Sequence, residues 1–560
     1  MVPNKFETII ERFYHWEKTT PDKVFLRQPK GDDWKEITWA QAGQVARRMV
    51  SALSSQGLKK GDHVAIYSKN CYHWVLADLA IMMGGYVSVP LYSSLTGPQL
   101  EEVVALGDVK AIFTGKLDKW DAGHEAALGG DILAIKFPHY EGFAESSQGL
   151  DWDKLIAEHP PMTESYVPKL DDLWTIKFTS GTTGTPKGVM HTHETAAQYM
   201  QKEQDAKWIG AFEITPLRFL SYLPLNHVGE RMGVELPAIW GNGTISFVEN
   251  LASFARNIQN TQPTVFFGVP RIWTNLYLGI LAKMPKKQID LMLAIPIVKK
   301  AVATKIRTGI GMRDLKVAAT GAAITPAFIK AFYKKLDIHL VEAYGMTEVC
   351  GAISNSVDPD TPLDSVGAAA PGCEVKIDPE TQEILMKSHA MMTGYYKSPE
   401  KTHEVLDKDG WLRSGDRGAI DDKGYIRVIG RVKDAFKTSK GSFITPNPLE
   451  EFLAKNAYID QICVVGLGIP QPIALLNLSP QGAAADKPDV ESALIETLEQ
   501  LNATRVNYER ISTLIIQSEN WTPENGCLTP TMKVKRFTLD DRFSHDYRDW
   551  HEAPENVIWT

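Results

Sequence analysis

One stretch of the sequence concentrates glycine and hydroxyl side chains around a single lysine. It reads FTSGTTGTPKGVMHTH over residues 178–193 and contains three glycines, five threonines and Lys187. Glycines let backbone N–H groups converge on an anion, while hydroxyls add further donors and a lysine adds positive charge. The composition therefore predicts a loop that binds phosphate groups, the alternative being a flexible surface loop.

The residues on both sides of this loop predict extended chain. Before it, LWTIKFTS alternates, with Trp174, Ile176 and Phe178 on one face, which is typical of a strand. After it, GVMHTH is also extended, and helical composition begins only near ETAAQYMQKEQ. A Walker-type loop needs its lysine to be followed by Ser or Thr and then a helix, whereas Lys187 is followed by Gly188, so a Walker-type kinase or ATPase is disfavoured.

Two later stretches also end apolar runs in small polar loops. LKVAATGAAITPAF (315–328) predicts a strand, a turn of small residues and a helix with Thr325 as N-cap and Pro326 at its first position. IHLVEAYGMTE (338–348) predicts a strand that ends near Tyr344, whose ring could stack on a base. Glu348 follows and is a hard oxygen ligand suited to Mg²⁺. Several such strands suggest an open α/β sheet with its ligand at the carboxyl ends of the strands.

The C-terminal third predicts a hairpin and then a second, smaller domain. In WLRSGDRGAIDDKGYIRVIGR the turn DDKG separates two strands, and Asp416 and Arg431 stand at opposite ends of this unit. A carboxylate suits the vicinal hydroxyls of a ribose and an arginine suits phosphate, while an ordinary surface ion pair is the alternative. A polar stretch near Lys433 predicts a hinge, and a helix is expected to begin with Asn447 as its N-cap. Basic side chains near the end, including Lys533, could reach a nucleotide held by the larger domain.

Composition excludes several classes of function. The 560 residues are 44% hydrophobic and 23% charged, with a net charge of −8, which argues against a nucleic-acid-binding protein. The five cysteines stand far apart with no Cys-x-x-Cys pair, which argues against a zinc site or a disulfide framework and fits a reducing cytosol. The start of the sequence predicts no signal peptide.

Two apolar windows could be mistaken for membrane segments. WVLADLAIMMGGYVSVPLY (74–92) contains Asp78 and Pro90, so a helix, turn and strand of a buried core explain it better. LMLAIPIVKKAVATKI (291–306) is interrupted by Pro296 and carries three lysines. It predicts a surface helix, with contact to a membrane as the alternative.

Taken together, these motifs resemble the adenylate-forming superfamily, which includes acyl-CoA synthetases, luciferases and peptide-synthetase adenylation domains. TSGTTGTPKGV, YGMTE and SGDRGAIDDKGYIRVIGR match three of its motifs in the expected order. Within the superfamily, YLPLNHVGER, LNATRVNYERI and LTPTMKVKR look most like long-chain acyl-CoA synthetases. The resemblance implies an α/β fold with a large N-terminal domain of several subdomains and a small, mobile α+β C-terminal domain. Its expected boundaries are 1–430 for the AMP-binding domain, 431–434 for the hinge and 435–560 for the swivelling domain.

The resemblance also implies a reaction and its participants. A fatty carboxylate would attack the α-phosphate of MgATP to give acyl-AMP and pyrophosphate, and CoA would then accept the acyl group. ATP, Mg²⁺ and CoA are thus expected, with small molecules as partners, no nucleic acid, and a cytoplasmic enzyme that could touch a membrane peripherally. The oligomeric state stays open, a homodimer being one option. Close alternatives keep adenylation but change the acid to a medium-chain or aryl acid, or change the acceptor. A non-catalytic binding protein of the same fold is a further alternative.

The residue roles implied by the resemblance are as follows. The residues expected to bind the outer phosphates are Thr179, Ser180, Gly181, Thr182, Thr183, Gly184 and Lys187, and those expected to form the adenine pocket are Gly321, Ala322, Ala323, Glu342, Ala343, Tyr344 and Gly345. Thr347 would contact the α-phosphate, Glu348 would hold Mg²⁺, Asp416 would bind the ribose with Arg431 beside it, and Lys533 would stabilise the developing charge. His227 would lie at the mouth of the acyl pocket, Lys433 would be the hinge, and the loop of residues 439–441 would enter the site for the thioester step.

Two positions depart from the family pattern. Many relatives have a glycine immediately before the catalytic lysine, where this chain has Met532, so Lys535 is a lesser candidate for that role. Some long-chain enzymes have a gating tryptophan shortly after the histidine, where this chain has Arg231. The preferred chain length is therefore left open.

Overall fold

The computed structural model describes residues 6–179, 186–523, 525–529 and 532–560. Up to Arg431 the helices are α1 (Ile9–Thr19), α2 (Trp39–Ser55), α3 (Tyr72–Gly84), α4 (Gly97–Leu106), α5 (Ala122–Ala127), α6 (Trp152–Glu158), α7 (His193–Ala206), α8 (Val228–Glu230), α9 (Leu236–Trp240), α10 (Phe254–Thr261), α11 (Pro270–Lys283), α12 (Lys286–Ala294), α13 (Pro296–Gly309), α14 (Ala327–Lys335) and α15 (Pro399–Val405). The strands of the same region are β1 (Val24–Lys30), β2 (Asp33–Thr38), β3 (His63–Ser68), β4 (Val87–Leu91), β5 (Val109–Gly115), β6 (Leu133–Lys136), β7 (Leu150–Asp151), β8 (Leu173–Thr179), β9 (Lys187–Thr192), β10 (Arg218–Ser221), β11 (Thr244–Phe247), β12 (Val265–Gly268), β13 (Val317–Gly321), β14 (Leu340–Met346), β15 (Gly351–Asn355), β16 (Ala368–Ala369), β17 (Glu374–Ile377), β18 (Glu383–Lys387), β19 (Gly394–Tyr395), β20 (Leu412–Ile420) and β21 (Ile426–Arg431).

The largest sheet carries the glycine-rich loop. Its strand order is β19-β9-β8-β4-β3-β5-β6-β7, in which β3 to β8 run parallel while β9 and β19 run antiparallel to their neighbours. The first apolar window forms α3 and β4, and Gly85, with a left-handed φ of 69°, ends the helix between them. Every residue of α3 is buried, which confirms that this window belongs to the core.

The two other loops of the predicted site belong to a different sheet. This sheet has the order β12-β13-β14-β15-β16, and its first three strands are parallel, so β13 and β14 end at the same edge. The expectation of one open sheet for all three loops is therefore corrected, because β8 lies in the eight-stranded sheet. Two four-stranded sheets, β10-β11-β1-β2 and β17-β18-β20-β21, complete the N-terminal region.

The C-terminal region has its own core. Its helices are α16 (Asn447–Leu453), α17 (Pro480–Ala484), α18 (Lys487–Ala503), α19 (Arg536–Phe543) and α20 (Tyr547–Glu552), and its strands are β22 (Phe436–Lys437), β23 (Phe443–Ile444), β24 (Ile459–Val465), β25 (Ile473–Leu478), β26 (Leu514–Ile516) and β27 (Val557–Trp559). Strands β24 to β27 form one sheet against α16 and α18, and two buried clusters draw all their members from this region. This is the expected small α+β unit, while the exact boundary at 431–434 stays a prediction.

Two helix starts each differ from the expectation by one residue. In α14 the N-cap is Pro326, and Thr325 lies before the helix, where its hydroxyl contacts Thr320. In α16, Pro446 is the N-cap and Asn447 is the first helical residue. In both places a proline stands next to a residue that commonly caps helices. This pattern predicted the helix start correctly to within one residue but did not determine which of the two residues is the N-cap.

The second apolar window forms two helices, α12 and α13, which meet at Pro296. In the part of the chain that the structure describes, no helix has both the length and the apolar character needed to cross a bilayer.

Candidate active site

The glycine-rich loop connects two antiparallel strands. Thr179 ends β8 and Lys187 begins β9, and the two residues face each other across the pair, with the Thr179 hydroxyl 3.5 Å from the Lys187 carbonyl oxygen. A strand, loop and strand differ from the strand, loop and helix of a Walker motif, in agreement with the sequence. The loop residues expected to cradle phosphate lie outside the described residues: Ser180, Gly181, Thr182, Thr183 and Gly184.

A tyrosine connects the loop lysine with the expected metal ligand. The Lys187 ammonium lies 5.0 Å from the centre of the Tyr395 ring, and the Tyr395 hydroxyl donates a hydrogen bond of 2.7 Å to Oε1 of Glu348. Among the described residues, no hydrogen bond engages the second carboxylate oxygen of Glu348. A buried carboxylate with one oxygen anchored and one available fits a Mg²⁺ ion that takes most of its other ligands from phosphate and water.

A buried histidine ties the same segment to the sheet of the loop. Nε2 of His191, in β9, donates a hydrogen bond of 2.7 Å to the Thr347 carbonyl oxygen. Burial lowers the pKa of His191 to about 4, so the ring is neutral and keeps this tautomer. Thr347 opens the 3-10 helix Thr347–Val349, which also contains Glu348. This hydrogen bond therefore holds Thr347 and Glu348, both predicted site residues, against β9, the strand that follows the glycine-rich loop.

The expected adenine pocket lies at the ends of β13 and β14. Gly321 pairs with Ala343, and a Cβ at Gly321 would lie 2.7 Å from the Ala343 carbonyl oxygen, so a larger residue would push the strands apart. The next residue, Ala322, has φ of +67°, a left-handed conformation that costs an alanine free energy. Ala323 is exposed. Gly345 is also packed too closely for a side chain, with the Gly351 carbonyl oxygen 1.8 Å from an added Cβ.

Glu342 is one of the residues expected at the adenine pocket, and its side chain is buried. Its carboxylate forms a buried ion pair of 2.6 Å with Lys330 and accepts a hydrogen bond of 2.6 Å from the backbone N–H of Thr325. Its backbone is bonded to Ser356 on both sides. The side chain of Glu342 is therefore part of the interior of the fold, and its place at the adenine pocket stays a prediction.

Asp416 and Arg431 form an ion pair across the predicted hairpin. They are directly opposite in β20 and β21, so the two sequence ends of the hairpin meet and Arg431 lies beside Asp416 as expected. Nε of Arg431 lies 2.9 Å from Oδ1 of Asp416, and the Tyr344 hydroxyl donates to Oδ2 at 2.8 Å. Burial raises the pKa of Asp416, an effect that Arg431 opposes. Each carboxylate oxygen keeps a further lone pair, so Asp416 can still accept hydrogen bonds from two ribose hydroxyls.

Lys533 of the C-terminal region lies at this same site. Desolvation lowers its pKa to about 8, with the positive charge of Arg431 adding to the shift and Asp416 opposing it. The residue as a whole is exposed, while many protein atoms lie around its ammonium. Lys535 instead precedes α19, and its backbone N–H donates to Cys527. The placement favours Lys533 over Lys535 as the lysine that acts at the nucleotide.

Met532 adopts a left-handed conformation at the position where many relatives are expected to have a glycine. Its φ is +66°, in the left-handed region that glycine adopts without strain. The Met532 N–H donates a hydrogen bond to the Thr529 carbonyl oxygen, and the Lys533 N–H donates one of 3.0 Å to the Thr529 hydroxyl. The departure from the family pattern is thus a methionine in a left-handed conformation that a glycine would adopt without strain.

His227 lies near Lys533 and stays neutral. It is the N-cap of α8, and its Nδ1 accepts a hydrogen bond of 3.0 Å from the Gly229 N–H. Burial, with the charges of Lys533 and Lys177, lowers the pKa of His227 to about 3. Arg231, four residues later, is fully buried and pairs with Asp78 and, at 2.8 Å, with Glu235. It is therefore part of the core and not a gate.

The expected hinge is exposed. Lys433 follows the ion-paired Arg431, and the ribbon of β22 and β23 begins three residues later. The segment 439–441, expected to serve the thioester step, lies at the turn of this ribbon. Both roles stay predictions.

Sequence reasoning missed Tyr395, His191 and Lys330. A signal existed for His191, because it shares the buried face of β9 with Val189, and a polar residue on an apolar face needs a partner. Tyr395 carries no comparable signal, since a tyrosine in an apolar strand is ordinary.

Comparisons with known proteins agree with this geometry. The profile of the AMP-binding enzyme family matches residues 13–396, and that of the AMP-binding enzyme C-terminal domain matches residues 433–546. A long-chain-fatty-acid–CoA ligase of Mycobacterium bovis is 26% identical over 96% of this chain and 96% of its own. Fatty acyl-CoA synthetase A of Dictyostelium discoideum is 29% identical over 93% of this chain and 86% of its own.

The fold is also found among solved structures. The adenylation domain of a carboxylate reductase from Mycobacterium chelonae superposes with a TM-score of 0.83 at 21% identity, covering 99% of this chain and 92% of that domain. At this identity the likeness establishes the α/β architecture with its small C-terminal domain. Since the two family profiles together cover most of the chain, this protein belongs to the AMP-binding enzymes of the adenylate-forming superfamily.

Proposed function

We propose that this protein activates a long-chain fatty acid with ATP, releasing pyrophosphate, and then transfers the acyl group to CoA. The observation that carries the proposal is the position of Lys533, which comes from the C-terminal region yet lies within electrostatic reach of Asp416, Arg431 and His227. The similarity to long-chain-fatty-acid–CoA ligases supports the choice of acid and acceptor.

In the first step, ATP binds at the candidate active site described above. Lys187 neutralises the outer phosphates beside the loop, and Asp416 accepts hydrogen bonds from the ribose hydroxyls. A Mg²⁺ ion held by Glu348 would supply positive charge at the phosphates. The substrate carboxylate forms a bond to the α-phosphorus while the bond from that phosphorus to the bridging oxygen breaks, and the electron pair leaves with pyrophosphate.

Lys533 acts at the atom where charge develops. Phosphoryl-type displacement depends on positioning and on charge neutralisation more than on covalent help from the protein. The protonated ammonium of Lys533 stabilises the negative charge on the α-phosphate oxygens in the transition state. His227, which is neutral, can orient the carboxylate without adding charge that would weaken it as a nucleophile.

In the second step, the CoA thiolate attacks the carbonyl carbon of the acyl-AMP. The new C–S bond forms as the bond to the phosphate oxygen breaks, and AMP leaves. This step needs other groups above the same intermediate, so we assign it to a swing of the C-terminal region about Lys433 that removes Lys533 and brings in residues 439–441.

The test compares two neighbouring lysines. We expect Lys533→Ala to lower the rate of ATP–pyrophosphate exchange by roughly 10²–10³-fold, as for a lost donor at a developing oxyanion, while ATP still binds. Lys535→Ala is the matched control and should stay close to wild type. Equal rates for the two variants would remove the role of Lys533. The nucleotide product should be AMP, and ADP would reject adenylation altogether.

An alternative changes the acid or the acceptor and keeps the first step. The architecture is shared with an adenylation domain of a carboxylate reductase, so the fold alone does not select CoA. A panel of palmitate, decanoate and aryl acids in the exchange assay, followed by a search for the CoA thioester, separates these cases. A strong preference for decanoate or an aryl acid over palmitate would reject the long-chain assignment.

A further inference from the structure

The two helices α12 and α13 form a hairpin with an apolar, exposed corner. Leu291 and Ile295 lie at the end of α12, and Ile297 lies at the start of α13, with exposed fractions of 66%, 45% and 92%. The three large aliphatic side chains fall within seven consecutive residues. An apolar group this concentrated on a surface indicates an interaction site.

The exposed corner is not the result of a loosely attached segment. Ile289 and Leu293 of α12 and Ala303 of α13 are buried in the same cluster as Trp273 and Tyr333. The hairpin therefore already has a face that packs on the protein, and the corner residues belong to another face. Substitution of the corner leaves the buried face unchanged.

The same segment has the opposite charge from the rest of the chain. Residues 283–309 include six lysines and one arginine but a single acidic residue, Asp290, whereas the whole chain has a net charge of −8. Asp290 is shared between Lys286 and Lys335. Lys287 and Lys300 are exposed and take part in no ion pair among the described residues. The hairpin is thus a cationic patch on an acidic protein.

We propose that this hairpin corner docks the protein on an anionic lipid bilayer, with the three aliphatic side chains in the headgroup region and the lysines on the lipid phosphates. Exposed aliphatic side chains flanked by lysine are typical of segments that lie in the bilayer interface. Each lysine near an anionic membrane adds favourable electrostatic energy that salt screens. The contact is peripheral, since no described helix can span the bilayer.

A bilayer fits this corner better than a folded acidic partner. A specific protein–protein contact usually covers about 800 Å² per partner with matched shapes. Three side chains at a helix corner offer little such area, whereas a bilayer accepts small apolar insertions without shape complementarity. The inference does not depend on the proposed reaction, because docking can be measured without substrates.

The experiment is co-sedimentation of the full chain with vesicles. Wild type is expected to bind vesicles of phosphatidylcholine that contain phosphatidylglycerol, to bind pure phosphatidylcholine weakly, and to be released by salt. Leu291→Ser with Ile297→Ser should weaken the partition coefficient by roughly tenfold or more, because two aliphatic side chains no longer leave water. Lys287→Gln with Lys300→Gln should weaken it by roughly 30-fold at low salt.

Leu467→Ser provides the matched control, because Leu467 is also a leucine, is 64% exposed, and lies in the C-terminal region between β24 and β25. This variant should bind vesicles as wild type does. The proposal is overturned if wild type fails to bind the anionic vesicles or if the corner variants bind as tightly as wild type. It is also overturned if light scattering shows a dimer that the corner variants abolish while vesicle binding is absent, since the corner would then meet a second copy of the chain.

Discussion

Removing the hydroxyl of Tyr395 tests how the site holds its metal ligand. This hydroxyl donates to Oε1 of Glu348 at 2.7 Å, while the ring lies below the Lys187 ammonium. Tyr395→Phe deletes the hydrogen bond and keeps the ring, so the contact with Lys187 is preserved. We expect Glu348 to lose its fixed orientation and the affinity of the site for Mg²⁺ to fall.

The size of the effect follows from the burial of Glu348. Only 8% of this residue is exposed, so little water can replace the lost donor. A hydrogen bond to a charged group contributes about 1.5–3 kcal/mol, and loss of a group that orients a metal ligand typically weakens metal binding by roughly 10–100-fold. The two ranges agree, since 1.4 kcal/mol corresponds to about a factor of ten.

The assay is the rate of ATP–pyrophosphate exchange as a function of free Mg²⁺ at saturating ATP. Tyr395→Phe should raise the Mg²⁺ concentration at half-maximal rate by at least about tenfold, and high Mg²⁺ should recover much of the activity. Tyr396→Phe is the matched control, because the adjacent hydroxyl donates to Asp108 at 2.6 Å, on the surface. An unchanged Mg²⁺ dependence in Tyr395→Phe would refute the assignment of Glu348 as metal ligand.

Three further predictions concern strain, charge and pH. Met532→Gly should raise the free energy of unfolding by about 1 kcal/mol in denaturant titration, because the left-handed conformation at φ +66° costs free energy for a methionine but not for a glycine. A loss of stability would contradict the conclusion that the backbone of Met532 is strained. Lys330→Met should lower it by about 3–5 kcal/mol, since the buried carboxylate of Glu342 loses its counter-charge, and Glu342→Gln in the same chain should recover part of the loss. The value of kcat/KM should fall as pH rises above about 8, because the pKa of Lys533 is lowered to about 8 and only its protonated form stabilises the transition state. Lys533→Arg, which stays charged, should lack this alkaline limb, and an identical limb would assign it to another group.

Local patterns predicted much of the fold. The alternation in LWTIKFTS corresponds to β8, the extended GVMHTH to β9, and the DDKG turn to the hairpin of β20 and β21. These elements follow from side-chain periodicity and turn chemistry, which act over a few residues. The predicted N-caps Thr325 and Asn447 are each displaced by one residue, because adjacent prolines and capping residues compete for the same position.

The partners of buried side chains depend on contacts between distant parts of the chain. Arg431 was expected beside Asp416, and the register of β20 and β21 places the two residues directly opposite each other. The place of Glu342 at the adenine pocket stays a prediction, but the sequence did not predict that its carboxylate pairs with Lys330. No short-range pattern contains this information, since register and facing depend on how whole sheets pack.

The amino-acid sequence alone determined which chemical groups this protein can bring to a nucleotide: a glycine–hydroxyl loop with Lys187, the carboxylates Glu348 and Asp416, and a lysine near the C-terminus. Only the tertiary structure decided how these groups are held. Tyr395 reaches Glu348 across 47 residues of sequence, and His191 reaches Thr347 across 156. The physical reason is that residue type and spacing set local conformation and chemistry, while the orientation of a side chain is set by partners that the packing of separate sheets brings within hydrogen-bond distance.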